Sequence, residues 1–123
     1  EMCRETTRAV DRYECNHICG DVVRSTDPFK LGTDRQRPWL VVNNSSHPFA
    51  DEQHVAVAIS TKEYDDSLRL GEDVWETGGV PRESFVSPWA IHSPRSEDLV
   101  AWQGRVADEF VGRVVDSLEK YLR

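Results

Sequence analysis

The segment 54–61, read as HVAVAIST, constrains the fold of this chain more than any other stretch. Branched residues occupy every second position from Val55 to Ile59, and small residues fill the positions between them. Because successive side chains of a strand point to opposite faces, this period of two predicts a β-strand with a branched core face. Ser60 then points to the opposite face and Thr61 continues the core row, unless a bulge at the strand end reverses the two.

Other short apolar runs, bounded by Gly, Pro, Asn and Ser, predict further strands. They lie at GDVVR from Gly20, at Trp39–Asn43 with Pro38 at the first position, at Ser84–Ile91 and at Val100–Val106, with Asp73–Trp75 as a candidate edge strand inside an acidic connection over 62–83.

The C-terminal segment predicts a helix. From Phe110 to Leu122, apolar residues recur at helical spacing along one stripe. Asp108 and Glu109 near its start, and Lys120 near its end, suit the helix dipole. Short strands, long loops and one terminal helix together predict a mainly β fold, a small and strongly curved β-barrel.

The length of 123 residues fits a single folded unit with one core. We expect an irregular N-terminal extension over residues 1–19 and the barrel domain with its helix over residues 20–123. No apolar run reaches the roughly 18 residues of a membrane span. The N-terminus also lacks the apolar core of a secretory signal, so we expect a cytoplasmic protein without membrane contact.

Charge is unevenly distributed along the chain. The formal net charge is -7, and the only lysines are Lys30, Lys62 and Lys120. An acidic surplus with arginine favoured over lysine is typical of salt-adapted, halophilic proteins, although an ordinary acidic domain fits the same composition. Bases outnumber acids only from Arg24 to Arg37, so that segment is the one candidate for a basic patch.

The cysteines and histidines give weak evidence for chemistry. Cys3, Cys15 and Cys19 make an odd count, which argues against a disulfide framework and favours reduced thiols. With His17 they offer four potential zinc ligands, but the spacing is not that of a standard zinc site, and we predict no metal or cofactor. Since no Gly-rich phosphate loop, HExxH or GxSxG occurs, any mechanism must use arginine and hydroxyl groups.

Four segments, taken in order, carry a resemblance to a known family. GDVV at 20–23, RPWLVVNN at 37–44, VAVAIST at 55–61 and RESFVSPWAIHSPRSEDL at 82–99 resemble the MazF/PemK family of toxin ribonucleases. The resemblance implies an SH3-like barrel of the MazF/CcdB type, usually a homodimer. It also implies a toxin of a type II toxin–antitoxin system, an endoribonuclease that cuts single-stranded RNA without a metal and is neutralised by a cognate antitoxin.

The resemblance also implies which residues act. Arg37 and Ser60 match the catalytic arginine and hydroxyl of the family, and Thr61 is the alternative hydroxyl. In such enzymes the 2′-OH attacks the adjacent phosphorus, leaving a 2′,3′-cyclic phosphate and a 5′-OH. An arginine fork suits this chemistry because it can hold the non-bridging phosphate oxygens bidentately.

Residues for RNA binding are less specific candidates, each weighed against an ordinary solvated or packed side chain. The phosphate candidates are basic, the stacking candidates are loop aromatics, and one acid weakly matches a family position before the arginine. They are Arg24, Lys30 and Arg35; Phe29 and Phe49; and Asp34. Trp39 is expected to pack in the barrel or at a dimer interface. The alternative function is a non-catalytic module on the same fold, which binds RNA or poisons a protein target such as a topoisomerase.

Overall fold

The computed structural model describes residues 19–26, 36–49 and 52–122. Within these ranges the chain forms seven strands and one α-helix, which confirms the predicted mainly β fold with a C-terminal helix. The elements are β1 Asp21–Thr26, β2 Gln36–Val41, β3 Ala56–Ser60, β4 Leu68–Leu70, β5 Trp75–Gly78, β6 Ser84–His92, β7 Leu99–Val106 and α1 Asp108–Glu119, with short 3₁₀ turns at Glu72–Val74 and Ser96–Asp98.

The strands form one antiparallel sheet that curls into a half-barrel. Its order is β4-β6-β3-β2-β1-β7-β5, so β2 is the central strand and the short β4 and β5 are the edges. β1 pairs with β2 on one side and with β7 on the other. Strands from the two ends of the described chain therefore lie side by side in the middle of the sheet.

Gly20 and Asp21 connect β1 to both of its neighbours. The Gly20 N–H donates to the Val41 carbonyl at 2.8 Å, and the Gly20 carbonyl accepts from the Val106 N–H at 2.9 Å. A φ of 97° and a backbone oxygen 3.2 Å from where a Cβ would stand make glycine the suitable residue here. Arg105 donates from Nε and Nη2 to the buried Asp21 Oδ1, at 2.9 and 2.8 Å, which holds β7 against β1.

Alternate residues of the central strands belong to two apolar clusters on opposite sheet faces. The larger cluster lies on the face covered by α1, and the smaller one on the other face. We call these the helix-side face and the site face. The helix-side cluster includes Val22, Leu40, Val57, Ile59, Phe110 and Val114, and the site-face cluster consists of Val23, Trp39, Val41, Ala56 and Ala58, with Ala90 and Leu99 packed against it.

The helix α1 is shorter than the apolar spacing predicts. Phe110, Val111, Val114 and Leu118 are buried against the sheet, as expected from the stripe. The α-helix ends at Glu119, however, and the following N–H groups bond three residues back, which tightens the final turn. The last two apolar residues of the stripe, Tyr121 and Leu122, are therefore exposed rather than packed.

The strand boundaries differ from the predicted ones where a proline, a side chain or a turn replaces a backbone hydrogen bond between strands. β2 begins at Gln36, so Pro38 is its third residue, and the ladder to β3 begins one residue after this missing N–H, at Trp39. β3 begins at Ala56, because the Val55 N–H bonds the Asn43 side chain at 2.8 Å. β4 was not predicted, and the edge strand follows a 3₁₀ turn over 72–74 instead of occupying it.

Most of the expected N-terminal extension, residues 1–18, lies outside the described residues. Cys19 is buried and disulfide-bonded, so the expectation of reduced thiols is wrong for this residue. Within the described ranges, no three His, Cys, Asp or Glu side chains cluster so that they could hold a metal ion. No helix in the same ranges has the length and apolar character needed to cross a membrane.

Candidate active site on the site face

Arg37 lies on the central strand of the sheet, half-buried, with its Nε inaccessible to solvent. Trp39 lies two positions further along the strand, so strand alternation places both side chains on the site face. The Arg37 Cζ lies 6.0 Å from the Trp39 ring centroid, at the outer limit of a cation–π contact. Arg37 is therefore held at a defined position on the sheet and is not a freely solvated charge.

Register brings hydroxyl residues to both sides of Arg37. On β1 its direct partner is Ser25, which is buried. On the other side, β3 pairs Ala58 with Trp39, and the same register continued by two residues sets Ser60 opposite Arg37. Directly opposed residues of antiparallel strands share a face, with Cβ atoms about 4.5–5.5 Å apart. Arg37 and Ser60 thus occupy facing positions at one end of the β2–β3 pair.

The two candidate hydroxyls differ in their surroundings. Val57 and Ile59 belong to the helix-side core, so Ser60 points to the site face, as the alternation predicts. Ser60 is half-buried; its Oγ accepts from the Lys62 N–H at 3.0 Å and donates to the Lys62 carbonyl at 3.2 Å. Thr61 follows the end of β3 and is exposed. Position and alternation both favour Ser60 as the hydroxyl beside Arg37.

Trp39 is the packed centre of the site face. It is fully buried, which confirms the expectation that it packs inside the molecule and does not offer a free stacking surface. The His92 ring lies against it at a centroid distance of 4.9 Å. Arg37 and His92 therefore flank the same indole. Sequence reasoning missed His92 because only the pairing of His92 with Ala56, 36 residues earlier in the chain, brings it here.

An exposed aromatic residue on the site face was also missed. Trp102 of β7 pairs with Val23, which in turn pairs with Trp39, so the three form one cross-strand row. Unlike Trp39, Trp102 is 47% exposed. The sequence of β7 does not predict which of its side chains lie on the site face, because the register of β7 against β1 shifts between Val22 and Val23.

The predicted RNA-binding residues do not all join Arg37. Arg24 is next to Ser25 in β1 and therefore points to the helix-side face, where its Nη2 donates to the Gln36 carbonyl at 3.5 Å. Phe49 lies in the connection at the other end of the β2–β3 hairpin and is exposed. The remaining candidates, Phe29, Lys30, Asp34 and Arg35, lie outside the described residues.

Phe49 contributes to a cavity of about 480 Å³ between the loop after β2 and the segment 93–98. Arg95 and Ser96 line the same cavity, and the buried His54 bonds Ser96 Oγ through Nε2 at 3.0 Å. His54 is thus a structural histidine that holds the two loops together. Arg95, which sequence reasoning did not select, presents a largely exposed guanidinium there.

The acidic connection over 62–83 begins two residues after the end of β3 and supplies the two edge strands and the turns around them, whereas Arg37 lies on the central strand. A half-buried guanidinium with a hydroxyl in the facing position is suited to hold a phosphodiester and to stabilise charge on its oxygens.

Three solved toxin structures resemble this fold. An endoribonuclease in complex with its cognate antitoxin, from a mycobacterial species, has a TM-score of 0.65 at 22% identity, over 84% of this chain and 91% of that one. MazF from Deinococcus radiodurans has a TM-score of 0.65 at 17% identity, over 85% and 94%. The Mycobacterium tuberculosis toxin MazF-mt6 has a TM-score of 0.63 at 13% identity, over 83% and 95%.

These likenesses confirm that the chain has the MazF-type fold expected from the order of its motifs. No protein-family model matches the sequence, and no curated protein matches it. At such identities a structural match speaks for the fold, so the function is inferred from the residues of the site.

Proposed function

We propose that this protein is a toxin endoribonuclease that cuts single-stranded RNA without a metal ion, and that Arg37 and Ser60 carry the reaction. The strongest support is the β2–β3 register of this MazF-type sheet, which, continued two residues beyond the Trp39–Ala58 pair, sets Ser60 opposite Arg37. A fixed cation and a hydroxyl at that position suit a phosphodiester, and the acidic segments lie on other strands.

The proposed reaction is an internal transfer at phosphorus. The ribose 2′-oxygen attacks the adjacent phosphorus while the bond from phosphorus to the 5′-oxygen breaks. The 2′-OH proton passes to solvent, and the departing 5′-oxygen takes up a proton, so the products are a 2′,3′-cyclic phosphate and a 5′-OH. Negative charge grows on the non-bridging oxygens, and Arg37 stabilises it by bidentate hydrogen bonding.

Ser60 orients the scissile phosphate. Its Oγ already bonds the Lys62 backbone, which fixes its position, and a rotation of the O–H directs the proton from the Lys62 carbonyl to a phosphate oxygen. Placement of a reacting group in this way contributes through orientation and needs no proton transfer by the serine itself.

The proposal includes two protein partners. One of the structural neighbours was solved with its cognate antitoxin, and we extend such a partner to this chain. We also propose a homodimer, in which Trp102 and the neighbouring exposed Val100 supply apolar area from β7.

The test is incubation of the purified protein with long single-stranded RNA in the presence of EDTA, with mapping of cleavage sites and end groups. We expect cyclic phosphate and 5′-OH ends, and the same products at raised salt concentration. Absence of cleavage under all salt conditions, or cleavage that requires a divalent cation, would contradict the proposal. Growth arrest by the Arg37→Ala, Ser60→Ala double variant would instead support a non-catalytic module that binds RNA or a protein target.

A further inference from the structure

Three exposed aromatic side chains form a continuous row beside the C-terminal end of α1. Tyr64, Trp89 and Tyr121 are 45%, 38% and 43% exposed. The Tyr64 and Trp89 ring centroids are 5.8 Å apart, and those of Trp89 and Tyr121 are 6.2 Å apart. Leu122, 64% exposed, extends the apolar surface. We call these four residues the aromatic row.

The row is assembled by the fold from three separate elements. Tyr64 belongs to the turn after β3, and Tyr121 to the final turn after α1. Trp89 lies where β6 gains residues relative to β3: Ser87 pairs with Ala58 but Ile91 pairs with Val57, so residues 88–90 have no β3 partner. An insertion of this kind redirects a side chain out of the sheet.

Tertiary contacts hold the row in place. The Tyr121 hydroxyl donates to Asp66 Oδ2 at 3.2 Å, which links the end of the chain to the turn that carries Tyr64. Both rings that flank Trp89 make edge-to-face contacts with it, at interplanar angles of 82° and 72°. Exposed aromatic rings fixed in this way are unusual for a surface that contacts only water.

Cations already lie over the two outer rings. Lys62 Nζ is 5.2 Å from the Tyr64 centroid, and Lys120 Nζ is 5.9 Å from the Tyr121 centroid. In the described part of the chain, no lysine or arginine lies over the Trp89 ring. Indole is the strongest cation–π acceptor among the side chains, so the central ring can take a cation from outside the chain.

The surrounding charge selects the kind of partner. In the chain segments that carry the row, acidic residues outnumber basic ones: Glu63, Asp65, Asp66 and Glu119 against Lys62, Lys120 and Arg123. This excess repels a polyanion such as RNA. The near-perpendicular rings also cannot stack on successive parallel bases. Charge and ring geometry therefore both favour a cationic protein segment.

The spacing of the rings matches an extended chain. Alternate side chains of a β-strand are about 6.6 Å apart on one face, close to the ring separations of 5.8 and 6.2 Å. Every second side chain of an extended segment can therefore meet one ring.

We propose that the aromatic row is a docking surface for an extended segment of a partner protein, in which arginine and apolar side chains alternate on one face. The arginine lies over Trp89 and near the carboxylates, and the apolar residues pack on the tyrosine rings and Leu122. The proposal does not depend on the RNA-cleaving function.

The test uses fluorescence anisotropy of labelled peptides with the repeat Arg-Ser-Leu-Ser, with the acidic repeat Glu-Ser-Leu-Ser and a labelled single-stranded RNA as the other arms. We expect the basic peptide to bind best. Trp89→Ala should weaken it about 5- to 30-fold, from the loss of a desolvated cation–π contact and ring packing. Phe49→Ala, which removes an exposed aromatic ring at the far end of the β2–β3 hairpin, should leave peptide affinity unchanged and is the matched control.

Neither substitution alters net charge, so an affinity loss confined to Trp89→Ala separates docking from general attraction to an acidic protein. Equal affinity in the two variants, or equally tight binding of the acidic peptide or the RNA, overturns the proposal. So does a change in sedimentation of Trp89→Ala, which would make the row a contact between copies of this chain. If Trp89→Ala unfolds at a lower temperature than wild type, Tyr64→Leu is the second variant. It keeps apolar volume but removes one ring, and we expect it also to weaken binding of the basic peptide.

Discussion

The two faces of the central strands differ in packing, and we propose that this difference separates stability from chemistry. The helix-side face is apolar along β1, β2 and β3, and α1 covers it. On the site face, the cluster around Trp39 is smaller, and Ser25, Arg37 and Ser60 continue it toward the strand ends. Neighbouring residues of one strand therefore lie on different faces, and substitutions at successive positions can test the two faces separately.

The largest expected effect is at Arg37. Arg37→Ala should reduce RNA cleavage by about 10²–10³-fold, since it removes the charge that faces the reacting phosphate. Its thermal unfolding should stay near that of wild type, because the side chain contributes little apolar burial. Arg37→Lys should also fail, as an ammonium cannot form the bidentate pair. Arg82→Ala, at an exposed arginine before β6, is the matched control. A comparable loss of cleavage in that variant would show that Arg37 has no specific role in the reaction.

Ile59→Ala should lower stability and leave the cleavage rate nearly unchanged, the reverse of the result expected for Arg37→Ala. Ile59 is buried in the helix-side core, and its truncation should cost about 2–5 kcal/mol of the free energy of unfolding. Urea unfolding measures this loss. At low temperature the remaining folded protein should cleave RNA at nearly the wild-type rate. Cleavage that falls with no loss of stability would show that the faces are not divided as described.

Ser60→Ala, one residue later, should affect activity more than stability. We expect cleavage to fall by about 10- to 100-fold through lost orientation of the phosphate. The free energy of unfolding should fall by only about 0.5–1.5 kcal/mol, because one turn hydrogen bond to Lys62 is lost. Thr61→Ala should change the cleavage rate less, because Thr61 is exposed beyond the strand end. The reverse order of the two rates would assign the hydroxyl role to Thr61.

The smallest expected effect concerns Tyr121, at the edge of the helix-side region. Desolvation by its neighbours, and secondly the hydrogen bond to Asp66 and the charge of that carboxylate, raise the pKa of the Tyr121 phenol above 10.0. The folded state therefore holds this proton more tightly than the unfolded state. The resulting stability is present below pH 10 and is lost as pH rises through the folded pKa.

Ultraviolet titration of the phenols tests this directly. Asp66→Asn should move the pKa of the Tyr121 phenol toward its ordinary value and reduce the loss of stability above pH 10. Tyr121→Phe should remove that titration step altogether. An unchanged titration curve in Asp66→Asn would mean that Asp66 has no part in the shift.

Local patterns were sufficient for some of these features and not for others. The alternation from Val55 to Ser60 correctly assigned the two faces, because side-chain direction in a strand depends only on position. Burial of Trp39 followed from its size and apolar character. By contrast, Ser25 and His92 come to Arg37 and Trp39 through pairings between distant segments, which no local periodicity encodes. The residues gained by β6 at 88–90, which expose Trp89, likewise depend on the register with β3.

The MazF-type fold was predicted from the order of the motifs, and the structural matches at 13–22% identity confirm that fold. Helix length was less predictable, since Tyr121 and Leu122 fit the apolar stripe equally well in a helix or in a closing turn. The roles of Arg37 and Ser60 remain predictions until cleavage is measured.

Because β1 lies between β2 and β7, the pairing of β1 during translation depends on when each of these strands is synthesised. The ribosome completes β2 at Val41, but β7 ends only at Val106. At about 5–20 residues per second, roughly 3–13 s pass between these two points. Throughout that interval β1 lacks its second neighbour, and the Asp21–Arg105 ion pair cannot form. The strand β1 therefore gains its second neighbour only after β7 has been made, whereas β2, which carries Arg37, can pair on both sides as soon as β3 is complete.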